Sequence, residues 1–193
     1  MSVFESQYFP SQKPASSLLV FLHGYNNTRD EMRPVYEYLQ QKLPGLAIAA
    51  PEGGNVSQKD PARKSWYTAM DINFFIDDMQ KKYGFRDKNT YIAGFSQGAM
   101  LAIWTALIRM QELAGCFSFS GLAAADEHLD LQIVSRPTVY LLHGKKDQTV
   151  LFKCLDYTKK WLQQENIPVA GKIFNTLDHQ ILPEELDFVA DII

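Results

Sequence analysis

Gly94-Phe95-Ser96-Gln97-Gly98 joins a short apolar run over 89–93, N-T-Y-I-A, to an apolar helical pattern over 99–113. A serine at such a junction can be held on a sharp turn with its hydroxyl exposed at the end of a sheet. The turn crowds strand against helix, so the residues two before and two after the serine must be tiny, and both are glycine. The five-residue string alone is weak evidence. Its place between a strand and a helix, and the residues further along the chain, give it meaning.

Outward from that turn, short apolar runs rich in β-branched and aromatic residues alternate with longer helical patterns. Strands are expected over 17–23, 46–50, 115–120, 137–143 and 169–175, and helices over 30–43, 71–83 and 151–165. Asp71 is the expected N-cap of its helix. A last helix starts near Pro183, with Glu184 and Glu185 in the first turn, where negative charge suits the dipole. Residues 53–68 read as a long polar loop, and 3–9 as an antiparallel edge strand. This alternation implies an α/β architecture: a mostly parallel central sheet covered by helices on both faces. In such sheets ligands gather at the carboxyl ends of the strands.

Composition narrows the function. The 193 residues, 46% hydrophobic and 21% charged, suit one globular domain over 1–193. A net charge of −3 with scattered basic residues argues against nucleic acid as a partner. The apolar run 18–22 is far too short to span a bilayer, so no stable membrane insertion is expected. The first residues lack the basic-then-apolar order of a signal peptide. Two cysteines, Cys116 and Cys154, have no metal-ligand or C-x-x-C spacing and read as structural thiols, with the cytoplasm as the expected location.

The strand over 137–143 empties into Gly144-Lys145-Lys146-Asp147, and the strand over 169–175 into Thr176-Leu177-Asp178-His179. A serine, a carboxylate and a histidine therefore occur in the order Ser…Asp…His, each just after a strand, which is the chain order of the α/β-hydrolase triad. Taken singly, Asp147 would be a turn residue and His179 a surface histidine. Together they supply what acyl transfer needs: a hydroxyl nucleophile, an imidazole to take its proton, and a carboxylate to hold the imidazole. Oxyanion donors are expected from the backbone N–H of Gln97 and from the loop after the first core strand, where Gly24 permits a tight turn. His23 and His143 sit at strand–loop corners and read as structural hydrogen-bonding residues. His128, among Asp126, Glu127 and Asp130, fits no metal-ligand spacing.

These residues resemble the phospholipase/carboxylesterase family of small α/β-hydrolases, which includes acyl-protein thioesterases. The likeness runs from F-L-H-G at 21–24, through Pro51, S-W-Y at 65–67 and G-F-S-Q-G-A at 94–99, to F-S-G at 119–121. It continues through H-G-x-x-D at 143–147 to D-H-Q-I at 178–181. The resemblance implies Ser96 as nucleophile, Asp147 as acid, His179 as base, backbone amides of Tyr25 and Gln97 as the oxyanion hole, and no metal or other cofactor. Two departures stand out. Asp178 replaces the glycine usual before the histidine, and Tyr25-Asn26-Asn27-Thr28 replaces a glycine-containing stretch.

Trp66, Tyr67, Met70, Leu122, Val150 and Ile181 are the expected substrate-binding positions, flanking the nucleophile by sequence or strand end. Their apolar character suits the acyl part of a neutral small-molecule or lipid ester, or a thioester. A homodimer stays open. Two rival readings differ from this one: a hydrolase-fold binding protein without catalysis, and a serine peptidase on the same fold. The first is disfavoured because all three triad members are present. The second is disfavoured because such peptidases usually carry a cap domain, for which this chain has no room.

Overall fold

The computed structural model describes residues 4–56, 63–66, 68–123 and 132–193. In chain order the strands are β1 (Ser6–Phe9), β2 (Ser17–Leu22), β3 (Leu46–Pro51), β4 (Asn55–Val56), β5 (Lys64–Ser65), β6 (Thr90–Phe95), β7 (Gly115–Phe119), β8 (Val139–Gly144) and β9 (Val169–Phe174). The α-helices are α1 (Arg33–Lys42), α2 (Ala69–Tyr83), α3 (Gln97–Ile108), α4 (Lys153–Gln164) and α5 (Pro183–Ala190). Seven strands form one sheet in the order β1-β3-β2-β6-β7-β8-β9, parallel except for β1. β4 and β5 pair separately as two short antiparallel strands.

The alternation of side chains along each strand sorts the core into two layers. Leu18, Val20, Leu22, Ile92 and Cys116 face α2, α3 and α4. Leu19, Phe21, Ile48, Ala93 and Phe117 face α1 and α5. With helices on both sides, β2 and β3 are buried at every position, which is why they read as unbroken apolar runs rather than alternating ones. β9, at the sheet edge, is largely exposed. The Cys116 thiol lies deep in the first layer, where burial pushes its pKa well up, and both cysteines are free.

Three expectations need correction. The N-cap of α2 is Thr68, whose hydroxyl accepts from the Asp71 amide; Asp71 sits inside the first turn. The helix after Ser96 begins at Gln97 and stops at Ile108 rather than near residue 113. Arg109 turns out of it because its guanidinium is taken by Asp77 at 2.7 Å, by Gln80 at 3.1 Å and by Asp87. The stretch over 53–68 is not wholly loop. The β4–β5 pair is tied to the segment after β2 by Asn26 N–H to the Lys64 carbonyl and Lys64 N–H to the Asn27 carbonyl.

The chain runs from β2 outward to β3 and then crosses back to place β6 on the other side of β2. The loops after β2 and β6 therefore diverge at a switch point, where open α/β sheets form their clefts. The pairing Leu22↔Gly94 carries Gly24 level with Ser96 at that end.

Candidate active site

Ser96 occupies the turn between β6 and α3 with φ 53° and ψ −117°, a left-handed φ that a non-glycine residue adopts only under constraint. The constraint is visible in the flanking glycines. A Cβ on Gly94 would lie 2.3 Å from backbone atoms of Gly98, and one on Gly98 would lie 2.3 Å from the Leu22 carbonyl oxygen. Only glycine lets α3 start this close to β2 and β6. Ser96 N–H donates to the Phe119 carbonyl at 2.9 Å, tying the turn to the end of β7 as well.

Asp147 lies just after β8, with a side chain fully out of solvent. Its Oδ1 accepts from the Thr149 and Val150 amides at 2.8 and 2.9 Å, and its Oδ2 lies 2.7 Å from His179 Nδ1. Burial works to raise the Asp147 pKa, but the His179 hydrogen bond and the two amides outweigh it and hold the carboxyl below its ordinary value. The group is thus an anion that only accepts, so Nδ1 of His179 carries the hydrogen and Nε2 is left to act. Asp178, next along the chain, is exposed.

The His179 ring packs on Phe95, the residue before Ser96, with centroids 4.7 Å apart. The structure thus brings the Asp147–His179 pair against the turn that carries Ser96. Among the described residues no hydrogen bond joins the Ser96 hydroxyl to His179. Gln97 is the first residue of α3, so its amide has no intrahelical acceptor. Gly24 lies against Phe95, where a Cβ would come within 3.1 Å of the ring, and this sets the Gly24–Tyr25 loop beside the Ser96 turn.

The other sequence-selected positions divide. Trp66 is buried between the two loops: its indole N–H donates to the His23 carbonyl at 2.7 Å and its amide to Gln97 Oε1 at 3.4 Å. Val150 is buried, and its amide supports Asp147. Leu122 follows Gly121, where a Cβ would meet Ala99 in the first turn of α3 at 2.7 Å. Ile181 packs against the core layer that includes Phe95. Met70 stands elsewhere, in a groove between α2 and the far end of α3 with Phe74, Ile108 and Met110. That end of the helix is on the order of 15 Å from Ser96 at the usual rise per residue. Tyr67 and the Asp126, Glu127, His128, Asp130 group fall outside the described residues. Among the described residues no three metal-ligating side chains cluster, and no helix is long and apolar enough to cross a membrane.

His23 and His143 are both fully buried at strand ends. His143 Nε2 lies 2.8 Å from the Val150 carbonyl and 3.6 Å from Asp147 Oδ2, bracing the loop that carries Asp147. Sequence reading missed Glu52, whose carboxylate lies 2.8 Å from His23 Nε2. The strand register accounts for the contact: Val20↔Ala49 carried three residues onward sets His23 level with Glu52.

The sheet order, the switch point and the strained serine turn define an α/β-hydrolase, and known proteins similar to it are esterases of that fold. The chain belongs to the phospholipase/carboxylesterase family, whose model matches residues 8–193. It is 30% identical to a probable carboxylesterase, SOBER1-like, of Arabidopsis thaliana, over 59% of this chain and 45% of that one. It is 23% identical to acyl-protein thioesterase 1 of Saccharomyces cerevisiae, over 94% and 93%. The chain thus spans about half the length of the plant relative and nearly all of the yeast one. The crystal structure of esterase PE8 superposes with a TM-score of 0.89 at 26% identity, covering 98% of this chain and 99% of that one. By name these relatives are esterases or thioesterases.

Proposed function

We propose that this chain is a serine hydrolase that cleaves carboxylic esters or thioesters through a covalent acyl-enzyme. Ser96 is the nucleophile, His179 the general base and then acid, Asp147 the anion that holds His179, and the Tyr25 and Gln97 amides form the oxyanion hole. The observation that carries the reading is the 2.7 Å Asp147–His179 bond packed against the turn that presents Ser96. His179 Nε2 takes the Ser96 proton as Oγ bonds to the acyl carbon, and the carbonyl electron pair moves onto oxygen. The two amides receive that oxyanion; the tetrahedral centre collapses and the leaving alcohol or thiol departs with the proton from Nε2. Water then repeats the sequence and frees the carboxylic acid.

The substrate is a neutral ester or thioester with a short to medium acyl chain, handled by a single cytoplasmic α/β-hydrolase domain over 1–193. The acyl site is placed at Leu122 and Ile181, both half-buried, the first next to the Gly121 that packs on the start of α3. Each buried methylene is worth about 0.8 kcal/mol, roughly fourfold in kcat/KM, so specificity should climb over the first few carbons and then level off. Labelling with a fluorophosphonate followed by peptide mass spectrometry tests the core of the proposal. One adduct, on Ser96, is expected; an adduct elsewhere on active protein refutes it. A kcat/KM for p-nitrophenyl esters that keeps rising to palmitoyl overturns the chain-length part alone.

A further inference from the structure

His23 is buried behind the loop that comes after β2, yet the proposed reaction makes no direct use of it. Its Nδ1 lies 2.8 Å from the carbonyl oxygen of Gly24. A carbonyl only accepts, so Nδ1 carries a hydrogen whatever the charge on the ring. On the far side Nε2 lies 2.8 Å from the Glu52 carboxylate and 3.0 Å from the Gly53 amide nitrogen. Carrying a hydrogen it donates to Glu52, and without one it accepts from the Gly53 N–H, so the ring is held in either state. Glu52 is itself fixed: Oε1 also accepts from the Arg29 amide at 3.3 Å, and Oε2 lies 3.9 Å from the Arg29 Nε. Burial works to raise Glu52, but His23 and Arg29 outweigh it and hold the carboxyl below its usual value.

The Gly24 carbonyl and the Tyr25 N–H belong to one peptide plane. In a trans peptide they point in opposite directions, and no cis bond is present among the described residues. Gripping the carbonyl from the protein interior therefore aims the Tyr25 N–H away from His23. Gly24 lies against Phe95 and level with Ser96, so away from the interior means toward the nucleophile. The geometry points to His23, anchored by Glu52, as a positioning residue that orients the Gly24–Tyr25 peptide so that its N–H meets the oxyanion in the transition state. The inference rests on the proposed oxyanion role of Tyr25. Such a donor acts only when negative charge develops on the substrate oxygen, so loss of its aim costs kcat and leaves ground-state binding alone.

The test compares unaltered enzyme with His23→Leu and His23→Asn in steady-state ester hydrolysis, with thermal unfolding as the check on folding. His23→Leu should lower kcat about 10²-fold with KM within about threefold. It should weaken a trifluoromethyl ketone, which forms the tetrahedral oxyanion on the serine, by the same factor. His23→Asn, whose amide can still donate to the Gly24 carbonyl, should recover about tenfold of that loss. A folded His23→Leu with kcat within threefold of the unaltered enzyme overturns the proposal. So does an equal loss in both variants, or a change confined to KM. Should His23→Leu not fold, Glu52→Met releases the anchor and leaves the ring; a kcat loss is expected, and an unchanged kcat overturns the proposal. Unaltered protein that neither hydrolyses ester nor takes up fluorophosphonate on Ser96 refutes the serine-hydrolase reading itself, whatever His23 does.

Discussion

Replacing Asp147 by Asn changes one atom and should nearly abolish catalysis, and the hydrogen bonds around it say why. The carboxylate accepts three times: from the Thr149 and Val150 amides on Oδ1 and from His179 Nδ1 on Oδ2. An asparagine must set its NH2 toward one side or the other. Turned to the two amides, it would leave two buried N–H groups facing a donor, at about 1–3 kcal/mol each. Turned to His179, it meets a ring that can move its own hydrogen. The second arrangement wins, and it forces the hydrogen from Nδ1 to Nε2, so that the atom meant to take the serine proton already holds one. Loss of the correct tautomer in a serine triad costs about 10⁴ in kcat, roughly 5 kcal/mol. Steady-state hydrolysis of p-nitrophenyl acetate, with Asp178→Asn alongside, provides the assay. Asp178 is exposed, so its variant should stay within about twofold. Equal losses in the two variants, or a larger loss from Asp178→Asn, would refute the assignment of the acid.

The same geometry carries further outcomes. Ser96→Ala should lower kcat by several orders of magnitude and abolish fluorophosphonate uptake, leaving only the contribution of binding and the oxyanion hole; retained labelling places the nucleophile elsewhere. Gly98→Ala puts a methyl 2.3–2.4 Å from the Leu22 and His23 carbonyl oxygens, rigid groups that cannot turn aside. Stability should fall by about 1–3 kcal/mol, with activity falling too, and an unchanged urea midpoint argues against that close approach. Burial pushes Glu185 from 4.5 up to about 7 despite its hydrogen bond from the Leu182 amide. The folded chain therefore keeps a proton that the unfolded chain releases, and stability falls as pH rises from about 4.5 to about 7, by roughly 3 kcal/mol in all. Glu185→Gln keeps the acceptor for Leu182 and should raise Tm at pH 8 while changing it little at pH 4.5; equal shifts at both pH values would show that the charge is not the cause.

Much of this was legible in the chain because the sheet is parallel and buried. Unbroken apolar runs such as 18–22 and 46–50 announce strands covered on both faces, and loops at the carboxyl ends then carry Ser96, Asp147 and His179 in order. What escaped the sequence depends on contacts across strands or between loops. Glu52 reads as a polar residue after a proline until the register sets it beside His23. The α3 end reads as continuing helix because nothing local marks Arg109, whose partners come from α2 and from the turn before β6. β4 and β5, two residues each, are too short for any period, and their pairing partners hold them. Met70 reads as a pocket residue from its nearness to Trp66 in sequence, yet the helix that begins at Ala69 carries it to a different groove.

The two His-Gly corners account for a further division, between what the sequence could and could not say about the site. At each corner the histidine faces inward and grips a main-chain carbonyl, Gly24 in one loop and Val150 in the other. The glycine next in the chain is set by crowding: a Cβ would meet Phe95 at 3.1 Å in the first case and the Leu177 carbonyl at 2.3 Å in the second. Both loops are thereby shaped through backbone atoms. A grip on a carbonyl does not itself specify the side chain beyond it, Tyr25 in one loop and Leu151 in the other. The His-Gly corners themselves are short motifs and can be read from a string of letters, whereas the partner behind the first, Glu52, cannot. The side chains proposed for the acyl site, Leu122 and Ile181, sit outside the grip, so substrate range has to be measured on those positions rather than inferred from the motifs.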